Sequence, residues 1–510
     1  MLDYDLGQRG DESLYEYLYQ RIRDDIASGE LREGARLPSK RALAEHLGVS
    51  VVTVEGAYRQ LVVEGYVESR PRSGYFVCDL RGSVAPAHGA RAGAAATGDL
   101  TRMSGRDEES RSVDFALGAR GAEQDAASLW TRALRQTLAS ESEAELFAPA
   151  PAKGTPRLRE AIASHLRHTR GMVVDPENVV VGAGAQILDS YIVQLLGRDC
   201  AYGVEDPGYP RLMRLYAANG VEVRHVPIDE AGVRVDALAA SDVGVMHVMP
   251  SHQFPTGCVT SIGRRYELLG WAADSSAGER WIIEDDYDCE FRLAGRPVPA
   301  LASVDAMGRV IYTNTFSKSL GSALRLAYMV LPDSLMERYG SELGFYSSTV
   351  STVDQVTLAR ILEDGSYERH VARVRKRARD ERDRLRELVV AGAFGPGARL
   401  EHADAGLHCV LAVPVASQPT TPATPLGAAS CPATPATPLD AATPRTATPP
   451  DATTSTPASS VATDAPRPTC PEYVLATLRE HGFSAQPIAD FTFLPQDAPR
   501  DTDRLFVNYC

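Results

Sequence analysis

Several common features are missing from this chain of 510 residues. It has no run of 18 apolar residues, so no membrane-crossing helix is expected. The first residues, Met-Leu-Asp-Tyr-Asp-Leu, lack the basic start and apolar core of a signal peptide. Its eight cysteines are scattered without a Cys-x-x-Cys pair, which argues against a disulfide frame or a cysteine metal site. Reduced thiols in a cytoplasmic protein with no bound metal are the expectation. Excess positive charge is lacking too: the formal net charge is -14, which argues against indiscriminate nucleic-acid binding but does not exclude a local DNA-reading face. An apolar content of 44% and a charged content of 24% are ordinary for a globular protein with more than one domain.

Residues 1–78 read as a small helical unit with a hairpin. Leu14, Leu18, Ile22 and Ile26 recur at helical spacing, and Gly29 suits a stop. Ser39 is an N-cap for the helix from Lys40, and Gly48-Val49-Ser50 is a tight turn into the next. Two short helices joined by such a turn make a helix-turn-helix. Val67-Glu68-Ser69 and Gly74-Tyr75-Phe76-Val77 then flank Arg70-Pro71-Arg72-Ser73, a hairpin tip. Residues 36–72 carry six Lys/Arg against four Glu, although residues 1–78 as a whole are net negative.

Leu37-Pro38-Ser39, Leu47-Gly48-Val49-Ser50, Glu64-Gly65-Tyr66 and Ser73-Gly74-Tyr75-Phe76-Val77, in that order, closely resemble the GntR-type winged helix. The resemblance implies operator DNA as partner, with the helix after Ser50 in a major groove and the wing near the phosphates or minor groove. It implies DNA contacts from Arg36, Lys40, Arg41, Ser50, Thr53, Arg59, Arg70 and Arg72. Val51 stands where the family often has arginine.

Residues 79–112 are rich in Ala, Gly, Arg, Ser and Asp without apolar period, and read as a flexible linker. A random coil of that length spans roughly 30 Å, enough to set a DNA head over a neighbouring subunit. From 113 to 510 strands and helices alternate, an α/β pattern with a smaller α+β unit at the end. Residues 417–469 interrupt that end. Twelve prolines and no aromatic among 53 residues read as a disordered insertion.

The larger unit carries the chemistry. Thr315-Phe316-Ser317-Lys318-Ser319 presents a lysine flanked by hydroxyls, with Arg325 following. A partly deprotonated lysine forms a Schiff base with an aldehyde, and an arginine pairs with phosphate. An aldehyde bearing a phosphate is pyridoxal 5'-phosphate. These residues resemble the lysine motif of fold-type I aminotransferases. That resemblance implies a glycine-rich phosphate loop at Gly184, Ala185 and Gln186, which here is poor in hydroxyls. It implies further phosphate or cofactor contacts from Thr315, Ser317 and Arg325. Asp285, at the end of the apolar strand Trp281–Glu284, would hold the pyridine nitrogen protonated. Tyr287 would meet the phenolic oxygen and Tyr209 would stack on the ring. Arg211 and Arg504 would take a ligand carboxylate. Phe254 stands where aminotransferases place an asparagine, and His252-Gln253-Phe254-Pro255 resembles the regulator variant of that motif.

A winged helix fused to an aminotransferase-like unit resembles the MocR-type bacterial regulators. The resemblance implies a homodimeric transcription regulator that senses an amino compound, or pyridoxal phosphate, through an aldimine at Lys318. The alternative is an active aminotransferase that carries a DNA-binding head. The basic run Arg369, Arg373, Arg375, Lys376, Arg377 and Arg379, in a long helix expected from residue 357, reads as a solvated face.

Overall fold

The computed structural model describes residues 4, 6, 13–32, 34–63, 66–70, 74–78, 120–274, 276, 278–294, 298–414, 472–493 and 502–508. The expected linker and insertion lie outside the described residues, as does Arg72.

The N-terminal unit is a winged helix. Helix α1 (Leu14–Ser28) stops at Gly29, whose φ of 84° is left-handed. Helix α2 (Lys40–Leu47) begins at Ser39, which accepts the Ala42 N–H, and Gly48 turns the chain. Ser50 caps α3 (Val51–Val63) by accepting the Thr53 N–H at 3.0 Å. Strands β1 (Val67–Arg70) and β2 (Gly74–Val77) pair antiparallel as the wing. Leu18, Ile22, Leu43, Val54, Tyr58 and Leu61 fill the core of this unit, but Ile262 and Tyr266, from a helix far along the chain, pack into it as well. The head is therefore seated on its own chain.

The large unit opens with α4 (Arg120–Ser140), α5 (Glu143–Leu146) and α6 (Pro156–Arg170). Strand β3 (Val179–Gly182), α7 (Ala185–Leu196), β4 (Ala201–Asp206), α8 (Pro210–Ala218), β5 (Val223–Asp229), β6 (Gly232–Val233) and α9 (Val235–Ala239) follow. Next come β7 (Val243–Val248), α10 (Ile262–Ala273), β8 (Trp281–Asp285), β9 (Val310–Thr315), α11 (Ser317–Leu320), β10 (Ala327–Val330) and α12 (Asp333–Glu342). The sheet order is β3-β10-β9-β8-β7-β4-β5-β6. Strands β5, β4, β7, β8 and β9 are parallel, while β10 and β6 run antiparallel to their neighbours.

Both faces of this sheet are covered, which is why its strands read as apolar runs without alternation. Val181, Tyr312 and Tyr328 face one core with α6 and later helices. Val180, Ile311 and Met329, each one residue out of step, face the other with α7 and α8.

The expected long helix is two. Helix α13 (Thr352–Glu363) ends at Asp364, and Gly365, with φ 70°, precedes α14 (Ser366–Val390). The Asp-Gly pair is a stop that the apolar periodicity masked. The basic face of α14 is also less solvated than expected. Arg375 donates to the Glu290 carbonyl at 2.6 Å, Arg379 to the Leu293 carbonyl at 2.9 Å, and Arg382 meets Asp404 at 2.8 Å. Lys376 keeps a surface pair with Asp380 at 3.2 Å, Arg369 stands 3.9 Å from Asp364, and Arg377 pairs with Asp125.

The C-terminal unit is a four-stranded antiparallel sheet, β11 (Arg399–Glu401), β12 (His408–Pro414), β14 (Thr502–Asn508) and β13 (Ser484–Pro487) in spatial order, with α15 (Glu472–Glu480). No helix of the described residues is long and apolar enough to cross a membrane. The architecture is a winged helix joined to the fold-type I aminotransferase fold, with a smaller α+β unit.

Candidate cofactor and DNA sites

Strands β4, β7, β8 and β9 are parallel, so their C-terminal ends share one edge of the sheet, the edge where ligands bind in open α/β folds. Lys318 sits there, half-buried in α11 just past β9. Helix α14 braces this short helix: the buried His370 Nε2 lies 2.6 Å from the Ser319 carbonyl, and the Tyr367 hydroxyl lies 2.8 Å from Ser319 Oγ.

The carboxylates at the end of β8 have separate fates. Glu284 is buried, 3.6 Å from Arg265, and accepts the N–H groups of Leu301 and Ala302 at 2.7 and 2.8 Å. Asp286 is held by Arg170 at 2.8 Å and by the Tyr312 hydroxyl at 2.7 Å. Asp285 lies between them in sequence and points to the other face. It keeps 21% of its side chain exposed, with His247 Nε2 behind it at 3.8 Å. His247 in turn meets the Tyr216 hydroxyl at 2.7 Å through Nδ1. Burial opposes a proton on His247, but Asp285, Asp189 and Glu205 outweigh burial and raise its pKa. Asp189 and Glu205 are each pushed up to about 7, chiefly by burial.

A cradle for an anion lies beside this. Gly184 precedes α7 with φ 91°, and a Cβ there would fall 2.2 Å from Arg325 Nη2. Arg325 itself holds the left-handed φ of 50°. Its guanidinium and the first N–H groups of α7, at Ala185 and Gln186, thus share one corner. The Ala183 N–H is committed to Thr349 Oγ1 at 3.0 Å. Thr315 Oγ1 and Ser317 Oγ lie 2.8 Å apart at the start of α11.

Tyr209 follows β4, and Tyr287 follows β8. The Tyr287 hydroxyl is buried with no hydrogen-bond partner among the described residues. Phe254 is 4% exposed and packs its ring on Tyr209, Phe491 and Phe506 at centroid distances of 5.6, 5.1 and 5.3 Å. It joins the large unit to the small one. Gln253 is fully buried and staples two strand-end loops, donating to the Pro207 carbonyl at 2.9 Å and accepting the Thr256 hydroxyl at 2.6 Å. Of the two arginines expected at a carboxylate, Arg211 is exposed in the first turn of α8, near the Tyr209 hydroxyl. Arg504 is half-exposed on β14 and is held by Glu401 at 3.2 Å.

The residues present fit an aldehyde that carries a phosphate and a basic ring nitrogen. Arg325 and the glycine-opened helix start offer an anion corner. Asp285 is part-exposed with His247 3.8 Å behind it, and the orphaned Tyr287 hydroxyl wants a partner. Sequence reasoning missed His247, Asp189 and Glu205, each a single polar residue in an apolar element.

On the winged helix the expected basic set is partly engaged. Lys40 and Arg59 both turn to Glu55, at 2.8 and 3.9 Å. Arg70 pairs with Glu68 and covers the Phe76 ring at 4.6 Å. Arg36 is exposed and bridges to Phe76 of the wing, and Arg41 is exposed on α2. Ser50 and Thr53 share a hydrogen bond of 2.7 Å at the start of α3. Val51 and Val52 are exposed there, 41% and 77%, and an apolar contact of that kind suits a thymine methyl.

A family model described as bacterial regulatory proteins, gntR family, matches residues 14–77, and one for aminotransferase class I and II matches residues 120–414. The uncharacterized HTH-type transcriptional regulator YdeL of Bacillus subtilis (strain 168) is 36% identical over 404 residues, 79% of this chain and 84% of that protein. The probable rhizopine catabolism regulatory protein MocR of Rhizobium meliloti is 33% identical over 418 residues, 79% and 83% of the two chains. Among solved structures, a multiple substrate aminotransferase from Thermococcus profundus superposes with a TM-score of 0.51 at 22% identity, covering 59% of this chain and 75% of that one, which is a likeness of fold.

Proposed function

Because the chain belongs to the MocR-type subgroup of the GntR family of bacterial transcription regulators, we propose that it binds operator DNA as a homodimer under the control of pyridoxal 5'-phosphate held on Lys318. The observation that supports this most is the convergence of Lys318, Asp285, the orphaned Tyr287 hydroxyl and the Gly184–Arg325 corner at one sheet edge.

When bound, pyridoxal phosphate would supply an electrophilic carbon that reacts with amines. The protein's own residues do the rest. Arg325, with the Ala185 and Gln186 N–H groups and the Thr315 and Ser317 hydroxyls, takes the phosphate. Asp285, backed by His247, holds a proton at the ring nitrogen. Tyr287 donates to the phenolic oxygen, and Tyr209 lies against the ring. Arg211 and Arg504 meet an effector carboxylate, for which Arg504 leaves Glu401. The effector is an amino compound or the cofactor itself. Its binding acts only through unequal affinity for two arrangements of the heads. Phe147 and Phe345, 79% and 77% exposed, are large apolar side chains that a second copy would cover.

The test is spectroscopic. Purified protein should show a visible absorption band of lysine-bound cofactor that borohydride fixes to the peptide containing Lys318. A candidate amine should change both the band and operator affinity. A protein with no such band, or with the label on another lysine, would end this reading.

A further inference from the structure

His252, Asp288 and His408 come from three places in the chain. His252 follows β7, Asp288 follows β8, and His408 opens β12 of the small unit. They meet in the interior at 1%, 3% and 4% exposure. His252 Nδ1 lies 3.9 Å from Asp288 Oδ2, and the two imidazole rings lie 3.9 Å apart between centroids. One donor atom from each residue falls within 4.8 Å of the other two.

Among the described residues, both ring nitrogens of His252, both oxygens of Asp288 and Nε2 of His408 lack a hydrogen-bond partner. The main chain at Leu407 favours the Asp288 carboxylate, and that at His408 and Gln253 favours a proton on His252 and on His408, without closing to a hydrogen bond at these atoms. Five orphaned polar atoms in one buried spot are unusual, because each loses its hydration with nothing in return. Burial pushes His252 down to about 3 and His408 well below its usual value. A neutral imidazole carries one lone pair, so each ring can offer one nitrogen to a cation. Lys318, Arg292 and His402 weigh on His252 from its surroundings, and Lys318 and Asp285 weigh on Asp288. The cluster is thus a set of acceptors that a cation would satisfy.

The choice of cation follows from donor type. Gly406, at φ 66°, leaves room for the His252 ring: a Cβ there would lie 1.8 Å from His252 Cε1. Two neutral imidazoles and one carboxylate suit zinc, iron(II), cobalt(II) or manganese, whereas magnesium and calcium prefer oxygen alone. Closing from this spacing onto bonds of about 2.0–2.1 Å asks each donor to move by roughly 0.7 Å.

We propose that His252, Asp288 and His408 form a binding site for one divalent first-row transition metal ion, taking one nitrogen from each imidazole and one carboxylate oxygen. The ion would tie the small unit to the strand-end loops of the large one, close to Lys318. This inference does not rest on the regulatory reading above.

The test uses the full chain, stripped with chelator, with and without pyridoxal phosphate because phosphate also binds metal. Titration with cobalt(II) alone should give one ion per chain and ligand-field bands in the visible, with zinc displacing cobalt and magnesium not. His252→Gln, His408→Gln and Asp288→Asn should each weaken binding by about tenfold or more. Asp288→Asn, nearly isosteric, serves if the histidine variants fold poorly by circular dichroism. Failure of the parent chain to bind cobalt or zinc stoichiometrically would overturn the proposal. So would binding that survives unchanged in a folded Asp288→Asn or His252→Gln protein.

Discussion

Gly184 and Arg325 occupy one corner so closely that a single added carbon on Gly184 would sit 2.2 Å from the guanidinium Nη2. Gly184→Ala must therefore move Arg325, and it also strains a backbone at φ 91°. A lost charge-assisted contact is worth about 1.5–3 kcal/mol. Affinity for pyridoxal phosphate should fall roughly tenfold to a hundredfold in a spectroscopic titration, with the far-ultraviolet circular dichroism unchanged. Undiminished affinity would place the phosphate elsewhere.

Lys318→Ala should abolish the visible band while leaving a dimer that binds operator DNA. Its operator affinity should no longer answer to amines. A variant that keeps both the band and the response would remove Lys318 from the mechanism.

On the winged helix, Glu55 holds Lys40 at 2.8 Å and stands 3.9 Å from Arg59. Glu55→Gln frees two cations for phosphates. Operator binding should tighten at low salt, and the slope of log affinity against log salt should steepen by about 1 to 2. Arg41→Ala should do the opposite and leave the cofactor band untouched. Equal slopes in parent and both variants would show that α2 and α3 do not face the backbone of DNA.

Asp189 gives a pH dependence of known sign. Burial raises its carboxyl from the ordinary 3.8 to about 7, so the folded state binds this proton more tightly than the unfolded chain. That contribution is fully present below 3.8 and is lost as pH rises through about 7. Asp189→Asn has no proton to lose. Its stability relative to the parent should rise between about pH 5 and about pH 8, by up to a few kcal/mol. Urea midpoints at the two pH values measure this; a constant difference would mean that Asp189 stays ionised.

If Phe147 and Phe345 are covered by a second copy, Phe147→Ser with Phe345→Ser should yield monomers in sedimentation. A dimer of unchanged affinity would move the interface to another face.

What was legible in the sequence was local. Lys318 with its hydroxyls, Asp285 at a strand end and Ser39-to-Gly48 with its caps are each read within a few residues. What was hidden depends on strand order. His247 on β7 supports Asp285 on β8 only because those strands are neighbours, and Asp189 joins them from α7. The basic residues of α14 look like a solvated face until the chain folds carbonyls of residues 290 and 293 against them. His252, Asp288 and His408 are separated by 36 and 120 positions, and no spacing rule unites them. The break at Asp364-Gly365 was hidden for a local reason, the helical period that continues on either side of it.

The first turn of α10 has two neighbours. Ile262 is embedded in the core of the DNA-reading head, and Arg265 on the same turn donates to the Pro250 carbonyl at 2.7 Å and lies 3.6 Å from Glu284, behind the cofactor edge. A helical turn does not stretch, so whatever displaces Arg265 carries Ile262 with it. The head and the strand ends of the large unit therefore meet on one helical turn, three residues apart.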